Sequence, residues 1–214
     1  MPDTPAVVYV VDDDVSVRES LELLIAQAGW QPVLFSSAAA FLAQPPPQST
    51  ACLVLDVHLP DLNGLDLQQS MGSHRPELPI VFITGHGDIP QTVRAMRAGA
   101  VEFLTKPFDD TALLDAIAEA HAASRAALQG RASVQALLDA YASLTPREQE
   151  VVRLVVRGCM NKQVAAELGI SEITVKAHRG KAMRKMGARS LPELVKQASA
   201  IGLGTVEPSG ACTT

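Results

Sequence analysis

Five short apolar runs, each followed by a stretch with helical periodicity, restrict residues 1–122 to very few folds. Ala6–Val11 is continuously apolar, as a strand buried on both faces should be. Gln31–Phe35, Cys52–Leu55, Ile80–Ile83 and Val101–Leu104 read as four further strands. Between them, Val15–Ala28 places Val17, Leu21, Leu24, Ile25 and Ala28 at helical spacing and stops at Gly29. Ala38–Ala43, Gly64–His74 and Ile89–Ala98 read as three more helices, and a fifth starts near Asp109. Strands that alternate with helices build a parallel sheet with right-handed crossovers. Ligands of such sheets sit beyond the carboxyl ends of the strands. That rule selects Asp12 and Asp13 after the first strand, Asp56 at the end of the third, Thr84 after the fourth and Lys106 after the fifth.

Beyond residue 143 the signals are helical only. Thr145-Pro146-Arg147-Glu148 is a capping box with proline at the first helical position. It opens a helix Pro146–Arg157 that stops at Gly158. Asn161 is placed to cap Lys162–Leu168 and Ser171 to cap Glu172–Met186, with Gly169 and Gly187 as stops. Ser190-Leu191-Pro192-Glu193 opens a last helix ending near Gly202. Residues 123–143, rich in Ala, Ser and Gln, read as a linker, helical or flexible, and 204–214 as a disordered tail.

The net charge of −5 conceals a division. Residues 1–122 carry 5 Lys/Arg against 16 Asp/Glu, a net −11, and residues 123–214 carry 13 against 7, a net +6. This pattern suits a cation in the first part and a polyanion in the second. Charge alone does not separate those partners from a merely solvated surface. No apolar run approaches the roughly 20 residues needed to cross a bilayer. Nor does the chain begin with the basic stretch of a secretory signal, so a cytoplasmic location is expected. Cys52, Cys159 and Cys212 are scattered without CxxC spacing, which fits reduced thiols and offers no metal framework.

Asp12, Asp13 and Asp56 brought to one sheet edge would repel, and a hard divalent cation with oxygen ligands offsets such repulsion. Magnesium, with manganese or calcium as substitutes, keeps several waters and can bridge a phosphoryl group. Lys106 adds a second positive charge, and the Thr84 hydroxyl can hydrogen-bond a phosphoryl oxygen. The set is suited to in-line phosphoryl transfer to a carboxylate.

Over residues 6–122 the chain resembles the receiver domain of two-component response regulators. The matching pieces are Val-Val-Asp12-Asp13-Asp14, Asp56-Val-His-Leu-Pro60-Asp-Leu-Asn63-Gly64, Ile83-Thr84-Gly85-His86-Gly87 and Phe103-Leu104-Thr105-Lys106-Pro107-Phe108. The resemblance implies a flavodoxin-like, five-stranded parallel (βα)5 fold whose Asp56 accepts a phosphoryl group from a sensor histidine kinase. It further implies magnesium on Asp13, Asp56 and the His58 backbone carbonyl, with Asp12 acting mostly through water. Thr84 and Lys106 would clamp the phosphoryl group, across a cis Lys106–Pro107 bond. Phe103 would be the switch aromatic, entering the space that Thr84 vacates. His58 and His86 occupy positions at which the family tunes the lifetime of the aspartyl phosphate, although plain surface histidines fit equally.

In Glu172–Met186, Val175, Ala182, Met183 and Met186 share one side, while Ile173, Lys176, Ala177, Gly180 and Arg184 fall opposite with Lys181 beside them. A short helix, a tight turn and this second helix have helix-turn-helix spacing. Arg179, Lys185 and Arg189 flank the helix and are placed to neutralise phosphates. Residues 144–202 resemble the LuxR-type DNA-binding domain, in Leu144-Thr145-Pro146-Arg147-Glu148, Asn161-Lys162-Gln163-Val164-Ala165 and Thr174-Val175-Lys176-Ala177-His178. A receiver joined to this domain is the NarL/FixJ family. Its base-contacting positions correspond to Lys176, Ala177 and Gly180. The expected DNA-binding set is Lys162, Thr174, Lys176, Ala177, Arg179, Gly180, Lys181 and Arg184; His178 reads as a core residue.

The expected domains are therefore a receiver over 1–122, a linker over 123–143 and a four-helix DNA-binding domain over 144–203. The expected function is a transcription factor, not a turnover enzyme, whose partners are a sensor kinase, promoter DNA, RNA polymerase and, on phosphorylation, a second copy of itself. One rival is a haloacid-dehalogenase-type phosphohydrolase with its nucleophile in Asp12-Asp13-Asp14. It leaves Asp56 to Gly64 and the basic second half unexplained. Another is a receiver that binds partners and is never phosphorylated.

Overall fold

The structure, a computed structural model, describes residues 6–47, 49–72, 77–85 and 87–203. The chain divides into two compact units, Met1–Gln129 and Gly130–Thr214.

In the first unit, strands β1 (Val7–Val11), β2 (Gln31–Phe35), β3 (Ala51–Asp56), β4 (Ile80–Thr84) and β5 (Glu102–Thr105) form one sheet in the order β2-β1-β3-β4-β5. Every pairing is parallel, which produces the flavodoxin-like arrangement and differs from the expected strand limits by a residue or so. Helices α1 (Val15–Gln27), α2 (Ala38–Leu42), α3 (Gly64–Met71), α4 (Ile89–Arg97) and α5 (Asp110–Ala142) alternate with the strands. His74, expected in the third helix, lies outside the described residues.

Strand periodicity sorts the apolar residues into two cores. Val8, Val10, Cys52, Val54, Val81 and Ile83 pack with Leu21 and Ile25 of α1 and with Leu113 and Ile117 of α5. Val11, Leu53, Leu55, Phe82 and Phe103 pack with Phe41, Leu65 and Ala95 of α2, α3 and α4. β3 and β4 are buried throughout, which is why they lack polar alternation. Cys52 is a buried free thiol, pushed up to about 12 by burial, whereas Cys159 is disulfide-bonded, unlike the reduced state expected of it.

Helix α5 is longer than anticipated. Its 33 residues take in all but the last of positions 123–143, so that segment is helical rather than flexible. Asp109 just precedes α5 and accepts the Thr111 N–H at 2.7 Å.

The second unit contains α6 (Pro146–Val156), α7 (Asn161–Leu168), α8 (Glu172–Met186) and α9 (Leu191–Ala200). Thr145 and Glu148 form the capping box at α6, and Ser171 and Ser190 cap α8 and α9. Asn161 does not cap α7. It is the first helical residue, with Met160 at the cap position, and the Gln163 side chain accepts the Met160 N–H at 2.8 Å. The turn between α7 and α8 begins at Gly169, whose φ of 66° is left-handed and suits glycine. Ile170 in that turn packs against the core cluster that includes Leu154, Val164 and Val175. No helix among the described residues is long and apolar enough to cross a membrane.

Candidate functional site

All strands run the same way, so the residues at their carboxyl ends meet at one edge. Carboxylate oxygens of Asp12, Asp13 and Asp56 lie within 4.8 Å of one another. Lys106 enters this group from the loop after β5 and donates through Nζ to Asp12 Oδ2 at 2.6 Å and to Asp56 Oδ2 at 3.0 Å. Two backbone groups also reach the cluster: the Asp14 N–H donates to Asp12 Oδ1 at 2.9 Å and the His58 N–H to Asp56 Oδ1 at 3.1 Å. The Lys106–Pro107 bond is cis.

Burial pushes the Asp12 carboxyl up, against the lowering effect of hydrogen bonds from Lys106 and Asp14. Burial also opposes the Lys106 charge, but its bonds to Asp12 and Asp56 prevail and hold its pKa above the ordinary lysine range. One ammonium among three carboxylates leaves the cluster negative. Its donors are hard oxygens, which fit a small divalent cation better than a soft metal.

Thr84 is fully buried at the end of β4, and its Oγ1 lies 3.2 Å from His58 Nδ1. The sequence reading missed this pairing, since His58 and Thr84 are joined only by the alignment of β3 and β4. Phe103 points into the core, its ring centroid 6.0 Å from that of Phe82. A Cβ at position 87 would lie 3.1 Å from Phe103 Cε1 and 3.3 Å from Thr84 Cγ2, so a bare glycine backbone covers the space between threonine and ring. His86 lies outside the described residues.

A second glycine packs against the end of β3 at Asp56. A Cβ on Gly64 would stand 2.5 Å from the Asp56 carbonyl oxygen and 3.1 Å from Val57 Cα, both rigid backbone. Gly64→Ala should therefore cost about 1–3 kcal/mol. Trp30, the sole tryptophan, is half-buried against the first unit's core and allows the loss to be read as an earlier fluorescence transition on heating.

In the second unit, α8 buries Val175, Ala182 and Met186. Lys162, Lys176, Ala177, Lys181 and Arg184 are exposed, while Thr174, Arg179 and Gly180 are partly covered. Arg179 donates to Asn161 Oδ1 at 3.1 Å, which explains why that asparagine is not the cap. Lys185 is also engaged: its Nζ donates to Glu148 Oε2 at 2.7 Å and to the Ser143 carbonyl at 3.1 Å. This lysine ties the end of the helix to the start of α6 rather than standing free for a phosphate. His178 is half-buried, with an Nδ1 that has no hydrogen-bond partner among the described residues.

The family model "Response regulator receiver domain" matches residues 8–118, and "Bacterial regulatory proteins, luxR family" matches residues 142–198. Nodulation protein W of Bradyrhizobium diazoefficiens is 50% identical over 200 residues, spanning 94% of this chain and 88% of that protein. Transcriptional regulatory protein FixJ of Rhizobium meliloti is 41% identical over 94% of this chain and 98% of its own length. The structure of response regulator StyR matches with a TM-score of 0.77 and 48% identity, over 92% of this chain and 99% of that one. With a receiver fold carrying an acidic edge and a LuxR-type helix-turn-helix behind it, the chain belongs to the NarL/FixJ family of two-component response regulators.

Proposed function

We propose that a sensor histidine kinase phosphorylates Asp56 and that this promotes pairing of two chains and binding to promoter DNA. The observation that carries the reading is the Lys106 ammonium, 2.6 Å from Asp12 and 3.0 Å from Asp56, inside a cluster of carboxylates. An Asp56 oxygen attacks phosphorus, the bond from phosphorus to the kinase imidazole nitrogen breaks, and an acyl phosphate forms on Asp56. Lys106 offsets the charge that gathers on the phosphoryl oxygens. Thr84 turns its hydroxyl to one of those oxygens and leaves His58, and Phe103 follows into the space released. Asp13, Asp56 and the His58 carbonyl, with Asp12 mostly through water, would hold magnesium, which would supply further charge neutralisation for the transfer.

Residues 1–122 act as the receiver, 123–143 as the link and 144–203 as the DNA-binding domain. There, Lys162, Thr174, Lys176, Ala177, Arg179, Gly180, Lys181 and Arg184 are the residues assigned to DNA. Within the unit, Thr174 Oγ1 already lies 2.8 Å from the Ser171 hydroxyl, and Arg179 uses one of its guanidinium nitrogens on Asn161, which leaves the others for a phosphate. Half-sites about 34 Å apart fit a two-fold pair of such helices. RNA polymerase is the partner through which a bound promoter is regulated, in the cytoplasm. The receiver carries its phosphoryl group as a state and turns over no substrate.

Peptide mapping by mass spectrometry after treatment with acetyl phosphate and magnesium tests the reading. One phosphoryl group on the peptide containing Asp56 is expected. Absence of any adduct, or an adduct confined to Asp12, would overturn it.

A further inference from the structure

The first turns of α8 present an apolar strip to solvent, Ile173, Ala177 and Gly180. At about 100° per residue, Ile173, Ala177, Gly180 and Arg184 form a single column. It stands opposite the buried Val175, Ala182 and Met186. Ile173, in the first turn, is 80% exposed. Ala177 is exposed as well, and a Cβ at Gly180 would meet nothing within 4 Å. Two polar side chains nearby make hydrogen bonds within the unit. Thr174 Oγ1 lies 2.8 Å from the hydroxyl of the capping Ser171, and Arg179 donates to Asn161. Lys176 and Lys181 are exposed on either side and the exposed Arg184 ends the column, so a narrow apolar strip has a cationic rim.

An isoleucine this exposed adds little to its own core. The rim identifies a polyanion as the surface that covers it. The major groove of DNA displays one apolar group on a base edge, the 5-methyl of thymine. Side chains in the first turns of a recognition helix are those that reach base edges.

We propose that Ile173 is a specificity-determining residue that reads a thymine methyl group in the major groove, with Ala177 lining the next step of the same contact. The assignment rests on the DNA-binding reading above and deepens it. It adds a position outside Lys176, Ala177 and Gly180, and it makes recognition at the start of α8 depend on apolar contact rather than hydrogen bonding.

The full-length protein, with and without acetyl phosphate, is used to select duplexes from a random library. The enriched site is then remade with each thymine in turn replaced by deoxyuridine, which removes the methyl group and nothing else. Wild type should lose about fourfold in affinity at one position or more, the effect of withdrawing one buried methyl. Ile173→Ala should bind the thymine and deoxyuridine duplexes equally there, while Ile173→Val keeps part of the discrimination. The salt dependence of binding should stay as in wild type, because no phosphate contact is removed. Deoxyuridine tolerated at every position would overturn the assignment, as would an Ile173→Ala protein that retains the wild-type penalty. Enrichment of no sequence at all would instead count against the DNA-binding reading, and the thymine contact would fall with it.

Discussion

Asp56→Asn should abolish labelling by a small phosphodonor completely, while Asp12→Asn should slow labelling and leave Asp56 as the modified residue. The two carboxylates share Lys106 but differ in freedom. The Asp12 side chain is wholly covered and its oxygens are taken by Lys106 and the Asp14 N–H. The Asp56 side chain keeps a tenth of its surface open. An amide at position 56 has no anionic oxygen with which to attack phosphorus. An amide at position 12 removes one charge from the cation site yet leaves the nucleophile in place. A loss of about ten- to a hundredfold in labelling rate is expected there, as for losing a group that orients or charges a metal site. The phosphohydrolase alternative demands the reverse pattern, with Asp12→Asn inert and Asp56→Asn labelled. Intact-mass time courses on the two variants therefore decide between the readings.

Glu148→Gln should destabilise the second unit by about 2 kcal/mol at neutral pH, the range for a hydrogen bond to a charged group. Glu148 is only 3% exposed and does two jobs: it accepts the Thr145 N–H that closes the capping box, and it holds Lys185 at the end of α8. The hydrogen bond from Lys185, assisted by the Thr145 N–H, lowers its pKa from 4.5 to about 2. A carboxyl depressed in the folded state contributes fully above the unfolded value of 4.5 and loses that contribution as pH falls towards about 2. Wild type should thus lose protection of α6 between those two pH values, and Glu148→Gln should show little change over the same interval. Hydrogen exchange of peptides covering residues 144–156 provides the measurement, since the only tryptophan, Trp30, is in the other unit. Equal acid sensitivity in both proteins would show that Lys185 does not govern this end of the helix.

Both results bear on how far residues speak for themselves. The start of α6 was readable because a capping box is local: Thr145 and Glu148 are one turn apart. The second use of Glu148 was not, because Lys185 is 37 positions away and reaches it only after α6 and α8 pack. For the same reason Lys185 looked like a free phosphate contact and Asn161 like a helix cap. Asparagine favours the cap position intrinsically, but here its oxygen accepts from Arg179, and Gln163 covers the exposed N–H of Met160 instead. The extent of α5 was ambiguous because an Ala-rich stretch with a glycine at position 130 has helical propensity without a decisive apolar face.

The sequence alone determined the architecture and the membership of the acidic edge. Apolar strands alternating with helices allow one kind of sheet, and a parallel sheet delivers every strand end to the same side. Asp12, Asp56, Thr84 and Lys106 are therefore neighbours by topology before any side chain is placed. Tertiary structure decided which polar groups are already occupied: His58 beside Thr84, Asn161 beneath Arg179, Glu148 under Lys185. Strand and helix signals are short-range and repeat along the chain, whereas a hydrogen-bond partner is chosen among groups far apart in sequence, by packing that no local pattern encodes.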